Sequence, residues 1–392
     1  MEHVGELLAA ARAQCGLDDF GDDSFREGLE ILVGSLQREA HLSPVGEIAL
    51  PAIITGLLVQ RLQIEDWYRR HPDIDEEPIV APLIGLSLPR TGSTALSCLL
   101  AEDPDARSLR TYEATEPCPP PSTVLGPDPR IARAEASDRM QQEMTPRAKA
   151  LVPTTPTGPQ ECQMLMGLDF KTHIFQAFAY IPSYSDWLLN DADLVSTYAY
   201  ERRTLKLLQW GEPDRPWILK CPSHLLFIDQ LDQVFPDARY VMTHRDPTEV
   251  MVSVADLYEV MYSQFSVHVD LAYLGSLNVE HWSVGMERTL AFRDRGNDKR
   301  FYDIGFKAMQ RDPIGEVRGL YAWLDQPVTP AFADGMERWW HDWAQGREEN
   351  VHPDPSRFGL DLEEIRPLFA SYNSRIDGWV SHQEETKKRR TA

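Results

Sequence analysis

The chain has 392 residues, 42% of them apolar, enough for one large α/β domain or two smaller ones. It carries 39 basic and 61 acidic residues, a formal net charge of −22. Such a surface repels polyphosphate backbones, which excludes nucleic acid as a partner, and any anionic ligand must sit in a local basic pocket against the global field. The five cysteines (Cys15, Cys98, Cys118, Cys162 and Cys221) are scattered and lack CxxC spacing. That pattern points to a reducing, cytoplasmic setting rather than a disulfide framework or a zinc site.

The N-terminal stretch has no basic segment followed by an apolar one, so no signal peptide is expected. Residues 1–77 read as helical, because Leu7, Leu8 and Ala11, then Leu29, Ile31, Leu32 and Leu36, recur at helical spacing. The longest apolar run, residues 48–59, contains Pro51 and is too short to cross a bilayer; it reads as a buried helix. The acidic segment 71–77 (HPDIDEE) is expected as a surface loop.

Residues 79–88 (IVAPLIGLSL) read as a buried strand, followed by a tight loop, 89–94 (PRTGST), and a helix over 93–100. The proline-dense segment 111–129 can only be surface or lid. Residues 160–209 read as mostly helical and rich in aromatic side chains. Strands are predicted at 217–220, 239–243 and 300–306, with helices at 223–234 and 248–262, and helices dominate the remainder. Strands alternating with helices predict an α/β fold with a mostly parallel central sheet flanked by helices. The expected organisation is a helical extension at 1–77 packed on a main domain at 78–380, with a disordered basic tail at 381–392. Ligands of such sheets bind at the carboxyl ends of strands, where 89–94, Lys220 and Arg245 all fall.

In the first loop, Gly92 permits a tight turn and close backbone approach to a ligand. Ser93 and Thr94 add hydroxyls, the following helix offers free N–H groups, and Arg90 supplies a permanent cation. The loop is not an ATP-type phosphate loop: no lysine stands between Gly92 and Ser93, and the cation precedes the glycine. In the second element, 240–253 (YVMTHRDPTEVMVS), Asp246 is a plausible helix cap with Pro247 at the first helical position. Arg245 and Ser253 together could hold a second phosphate, or Arg245 could simply pair with a carboxylate.

PRTGST and the Arg245…Ser253 pair resemble the 5′-phosphosulfate loop and the 3′-phosphate element of sulfotransferases that use 3′-phosphoadenosine 5′-phosphosulfate, PAPS. The segments WILKCPSHLLFIDQLDQVFPDARYVMTHRDP and FYDIGFKAMQRDPIGEVRGLY are similar to the middle and C-terminal parts of a mostly bacterial branch of that family. The resemblance spans roughly residues 79–375. It implies a P-loop NTPase-like fold, with Arg90, Thr91, Gly92, Ser93 and Thr94 on the 5′-phosphosulfate, Arg245 and Ser253 on the 3′-phosphate, and Phe306 near the adenine. A C-terminal basic phosphate loop is expected but not evident; Arg347 is the candidate in its place.

Sulfuryl transfer needs cations on the leaving phosphate and a base for the acceptor hydroxyl. Lys220, at a strand end where relatives carry a lysine, is the second catalytic cation beside Arg90. Glu113 leads as the base, since some relatives use a glutamate in that region; Glu116, His224 and His173 are the alternatives, and His244 reads as structural. No metal is expected. The implied activity transfers a sulfuryl group from PAPS to a small-molecule hydroxyl acceptor, giving PAP, adenosine 3′,5′-bisphosphate. The aromatic stretch 164–187 and the proline loop 117–121 could wall an apolar or amphipathic acceptor, although helix packing explains the aromatics equally well. A P-loop-type small-molecule kinase and a non-catalytic PAP-binding protein are the rival readings, and a homodimer stays open as an assembly.

Overall fold

The computed structural model describes residues 3–152, 154–345 and 353–391. They group into two compact units that interleave along the chain: 1–79, 109–214 and 257–269 in the first, and 80–108, 215–256 and 270–392 in the second. The boundary expected at residue 77 falls close to the first break between these units, at residue 79. The N-terminal helices share a core with residues far along the chain, which sequence proximity does not reveal.

The first unit is built on helices Val4–Cys15, Ser24–Arg38 and Pro44–Arg70, with Pro182–Asn190 and Val195–Gln209 packed among them. The 27-residue helix begins where Ser43 accepts a hydrogen bond from the Gly46 N–H at 3.1 Å, with Pro44 in its first turn. Gly46 has to be glycine, because a Cβ there would lie 2.1 Å from the Phe265 carbonyl oxygen. Among the described residues this is the one helix long and apolar enough to cross a membrane, and half of its apolar window is buried within the protein. The acidic segment expected as a loop forms a tight helical turn, Pro72–Glu76, because Ile74 is fully buried and anchors it.

A buried ionic cluster lies at the centre of this unit. The Arg61 guanidinium is fully buried, donates to the carbonyls of Phe20, Leu168 and Asp22, and lies 3.6 Å from the Asp169 carboxylate. Asp169 in turn accepts from Ser24, Ser196 and Thr197. Phe25 and Tyr200 present their ring faces to the same guanidinium, so its charge is met on every side that lacks a carbonyl.

Glu201, on the Val195–Gln209 helix, is treated differently. Its side chain is fully buried, no N–H or O–H among the described residues reaches its carboxyl oxygens, and its hydrogen-bond partner is the Cys162 thiol. Burial pushes its pKa up to about 8, with the thiol opposing. The folded protein thus holds a proton there that the unfolded chain releases near the ordinary glutamate value. Stability from this group is complete at pH 4 and is lost as pH rises towards 8, by up to about 1.4 kcal/mol per pH unit. Glu201→Gln is expected to flatten that slope in urea-unfolding curves taken from pH 5 to 9.

The second unit holds the sheet. Its five strands are β1 (Leu83–Gly85), β2 (Arg107–Ser108), β3 (Trp217–Lys220), β4 (Arg239–His244) and β5 (Phe301–Gly305). They run in the order β2-β3-β1-β4-β5, and every pairing is parallel. β1 is shorter than the predicted 79–88 run, because Pro82 has no N–H to donate to a ladder and Ala81 sits at φ 41°. Leu83, Ile218, Val241, Tyr302 and Ile304 pack on one side against helices Ser93–Leu100, Pro313–Trp323 and Pro330–Gln345. Tyr240 and Phe301 meet Phe292 of the Leu271–Phe292 helix. The two-residue edge strand β2 had no legible pattern. The last helix, Ala370–Thr391, runs through the segment expected as a disordered tail.

The sheet's order places a switch point at its centre. The chain leaves β1 towards β2 and β3, then crosses back to β4 and β5 on the other side. Ligands of such sheets sit outside the carboxyl ends of the strands at that point.

Candidate active site

Residues 86–92 leave the carboxyl end of β1 and turn into the Ser93–Leu100 helix, as predicted. The turn is made by two residues with left-handed backbone, Arg90 at φ 63° and Gly92 at φ 91°. The helix has no side-chain cap at Gly92, so its first N–H groups point into the turn. Ser93 and Thr94 are half-buried in the first turn. Thr91 departs from the expected role: its side chain is fully buried, donates to the Leu88 carbonyl at 2.8 Å and meets the Thr243 hydroxyl at 2.6 Å. Thr243 continues the chain to Ser87, whose hydroxyl accepts the Thr243 N–H at 2.8 Å. The Thr91 hydroxyl therefore ties the loop to β4, and only its backbone could face an anion.

Two arginines meet above this loop. Arg90 Nε lies 3.2 Å from Ser253 Oγ, and Arg245 Nη1 donates to the Arg90 carbonyl at 3.1 Å. Burial, and then the like charge of Arg245, lower the Arg90 pKa from its ordinary value, with Asp256 opposing. A guanidinium remains charged under such a shift, so two like charges stand close together here. Asp246 caps the following helix, Pro247–Tyr262, by accepting the Thr248 N–H at 2.9 Å, which sets the direction in which Arg245 leaves β4. The carboxylate pairing weighed for Arg245 is also present: Glu249 Oε2 lies 2.9 Å from its Nη2.

Phe306 stands at the carboxyl end of β5 and opens the Phe306–Arg311 helix. Its ring lies under the Arg245 guanidinium at 4.6 Å and closes against Gly92, where a Cβ would lie 3.4 Å from the ring edge. Lys220 ends β3 and is buried rather than extended into solvent. Its stem lies across the end of β1, and a Cβ on Gly85 would be 3.1 Å from Lys220 Cγ. One unit thus gathers Arg90, Gly92, Ser93, Thr94, Lys220, Arg245, Ser253 and Phe306 at neighbouring strand ends. Gly85, Ser87 and Thr243 were missed; the only sequence signal was small or hydroxyl-bearing residues at the ends of apolar strands.

The base candidates separate by environment. Glu113 belongs to the first unit, in the short helix Thr111–Thr115, where its buried carboxylate accepts the Arg110 N–H at 3.2 Å. Glu116 is held by Arg133 Nη2 at 2.6 Å. His224 is fully buried, and burial pushes its pKa down to about 3, which makes it a weak proton acceptor. His173 has both ring nitrogens engaged, by Gln176 at 2.6 Å and Tyr258 at 2.9 Å. Arg347 lies outside the described residues. Of the aromatic stretch 164–187, Phe170, Phe175 and Tyr184 are core, and Phe175 and Phe178 line a small apolar cavity with Leu32, Leu36, Leu50, Ile53 and Ile54.

His244 is structural, as its position beside Arg245 suggested. Its Nε2 meets Asp303 at 2.7 Å and its Nδ1 the Tyr372 hydroxyl at 3.0 Å, while Arg293 holds Asp303 through two 2.8 Å bonds. This buried cluster locks the ends of β4 and β5 in register. Burial raises the Asp303 pKa, but the bonds and charges of Arg293 and His244 outweigh it and bring it down to about 2.

The sequence profile of the sulfotransferase family matches residues 82–330, well over half of the chain. The chain belongs to that family. It is similar almost from end to end to sulfotransferase STF9 from Mycobacterium avium, with 32% identity and a TM-score of 0.89 over 96% of this chain and 97% of that one. Sulfotransferase STF1 from Mycobacterium tuberculosis H37Rv gives 29% identity and a TM-score of 0.83 over 94% and 99%. The fold is accordingly the P-loop-like fold of sulfotransferases. Over 108 residues the chain is 31% identical to omega-hydroxy-beta-dihydromenaquinone-9 sulfotransferase Stf3 of Mycobacterium bovis, a match covering 27% of this chain and 28% of that relative.

Two consequences can be measured. Thr91→Val removes the link between loop and β4, and is expected to lower unfolding free energy by about 1–3 kcal/mol in urea titrations. For Asp303 the folded pKa is depressed, so its stabilisation holds above the ordinary aspartate range. It is lost as pH falls from near 4 through about 2, and amounts to roughly 2 kcal/mol. Asp303→Asn should remove that acid-side dependence and cost about 3–5 kcal/mol at pH 7, because Arg293 is left buried without its partner.

Proposed function

We propose that the protein transfers a sulfuryl group from PAPS to the hydroxyl of an apolar or amphipathic small molecule. The observation that supports the donor most directly is the joining of two arginines through the backbone of the strand-end loop, one bonded to Ser253 and the other stacked on Phe306. In a chain of net charge −22, two adjacent guanidiniums are a local exception that an anionic ligand explains.

When bound, the donor presents an electrophilic sulfur and a phosphate leaving group, and in-line attack by the acceptor oxygen builds negative charge on that phosphate. In this reading Arg90, the uncapped helix N–H groups, Ser93 and Thr94 hold the 5′ end, with Gly92 letting the backbone approach closely. Lys220 supplies the second cation to the bridging side of the leaving group. Arg245 and Ser253 take the 3′-phosphate, and Phe306 offers an aromatic surface beside the adenine. Glu113, the base that the family resemblance implies, takes the acceptor proton. The apolar class of the acceptor draws support from Stf3, a relative named for a hydroxylated menaquinone derivative.

Differential scanning fluorimetry separates this reading from a kinase. PAP is expected to raise the melting temperature by several degrees, whereas ATP with magnesium does little; stabilisation by ATP with magnesium alone would overturn the donor assignment. Lys220→Ala should lower sulfuryl transfer by at least about 100-fold while leaving PAP affinity within a few fold. Turnover that survives this change removes Lys220 from the chemistry.

A further inference from the structure

Arg245 is assigned to the 3′-phosphate, yet its guanidinium is already held. Its Nε donates to Glu249 Oε2 at 3.0 Å and its Nη2 lies 2.9 Å from the same oxygen, so one carboxylate oxygen takes the side-on edge of the fork. Nη1 donates to the Arg90 carbonyl. That side-on edge is one of the two on which a phosphate binds an arginine through paired hydrogen bonds. The two side chains differ sharply in exposure: 10% for Arg245 and 55% for Glu249. The arginine is fixed in the site, while the carboxylate reaches in from solvent.

We propose that Glu249 is a built-in competitor for the 3′-phosphate on Arg245, an inference that rests on the donor reading above. Without ligand, Arg90 and Arg245 are neighbouring like charges; burial, and then this repulsion, lower the Arg90 pKa, with Asp256 opposing. Glu249 offsets that repulsion by neutralising Arg245. The pair is screened by water on the glutamate side, so opening it costs little, and a more highly charged phosphate displaces it. The displaced carboxylate, three residues into the Pro247–Tyr262 helix, stays close and repels the phosphate that replaced it. PAP keeps the 3′-phosphate of the donor, so the same competition acts against product retention and favours release. Glu249 thereby sets how strongly the site values a 3′-phosphate, without touching the sulfuryl end.

The test is calorimetric titration of the full chain at fixed ionic strength, with PAP and with adenosine 5′-monophosphate, which lacks the 3′-phosphate. Glu249→Gln keeps the shape and removes the charge. It is expected to bind PAP about two- to fivefold more tightly than the wild type and adenosine 5′-monophosphate equally well. Weaker or unchanged PAP binding would overturn the inference, the first by showing that Glu249 positions Arg245. Equal tightening of both ligands would also overturn it, because a general field effect would then be at work. Arg245→Ala separates the two levels. Loss of PAP affinity in that variant upholds the donor reading whatever Glu249→Gln does, and wild-type PAP affinity removes both the reading and the competitor built on it.

Discussion

The chain of hydroxyls from Ser87 through Thr243 to Thr91 is the constraint on which the site depends. It is fully buried and joins the exit of β1 to the end of β4. With Thr91 turned inward, Arg90 must adopt a left-handed backbone and Gly92 follows at φ 91°. The Arg90 carbonyl then meets the Arg245 guanidinium. Each step is a local hydrogen bond, but together they convert two separate strand ends into one cationic pocket.

Buried charge is treated in three ways in this molecule. Arg61 is surrounded by carbonyls, Asp169 and aromatic faces, and Asp303 is gripped by Arg293 and His244; both are compensated and hold structure in place. Glu201 has no such partners and takes a proton instead, since an isolated carboxylate in that position would be far more costly than a neutral acid. Arg90 and Arg245 lie side by side at the strand-end loop, Arg245 paired with Glu249 at the protein surface.

The elements of the candidate site were largely legible because each is local. A strand, a glycine turn and a helix start lie within a dozen residues around Gly92, and the Asp246–Pro247 cap announces the helix that carries Ser253. What was illegible depended on distance in sequence. Thr91 looked like a ligand contact until Thr243 came against it, and Gly85 looked like any strand glycine until the Lys220 stem crossed it. The grouping into units likewise depends on distant residues, since helices near the N-terminus complete a core with residues 109–214.

By itself, the sequence determined the class of fold, the positions of the long helices and inner strands, and a set of cations at strand ends in an acidic chain. These follow from periodicity, capping and charge, which act over a few residues. The tertiary structure alone decided which of those groups are taken up in holding the protein together. Thr91 and His244 are taken up by internal bonds, His224 is too buried to accept a proton readily, and Arg245 is shared with Glu249. A side chain's role here is set by its partners, and partners come from packing that brings distant residues within a few ångströms.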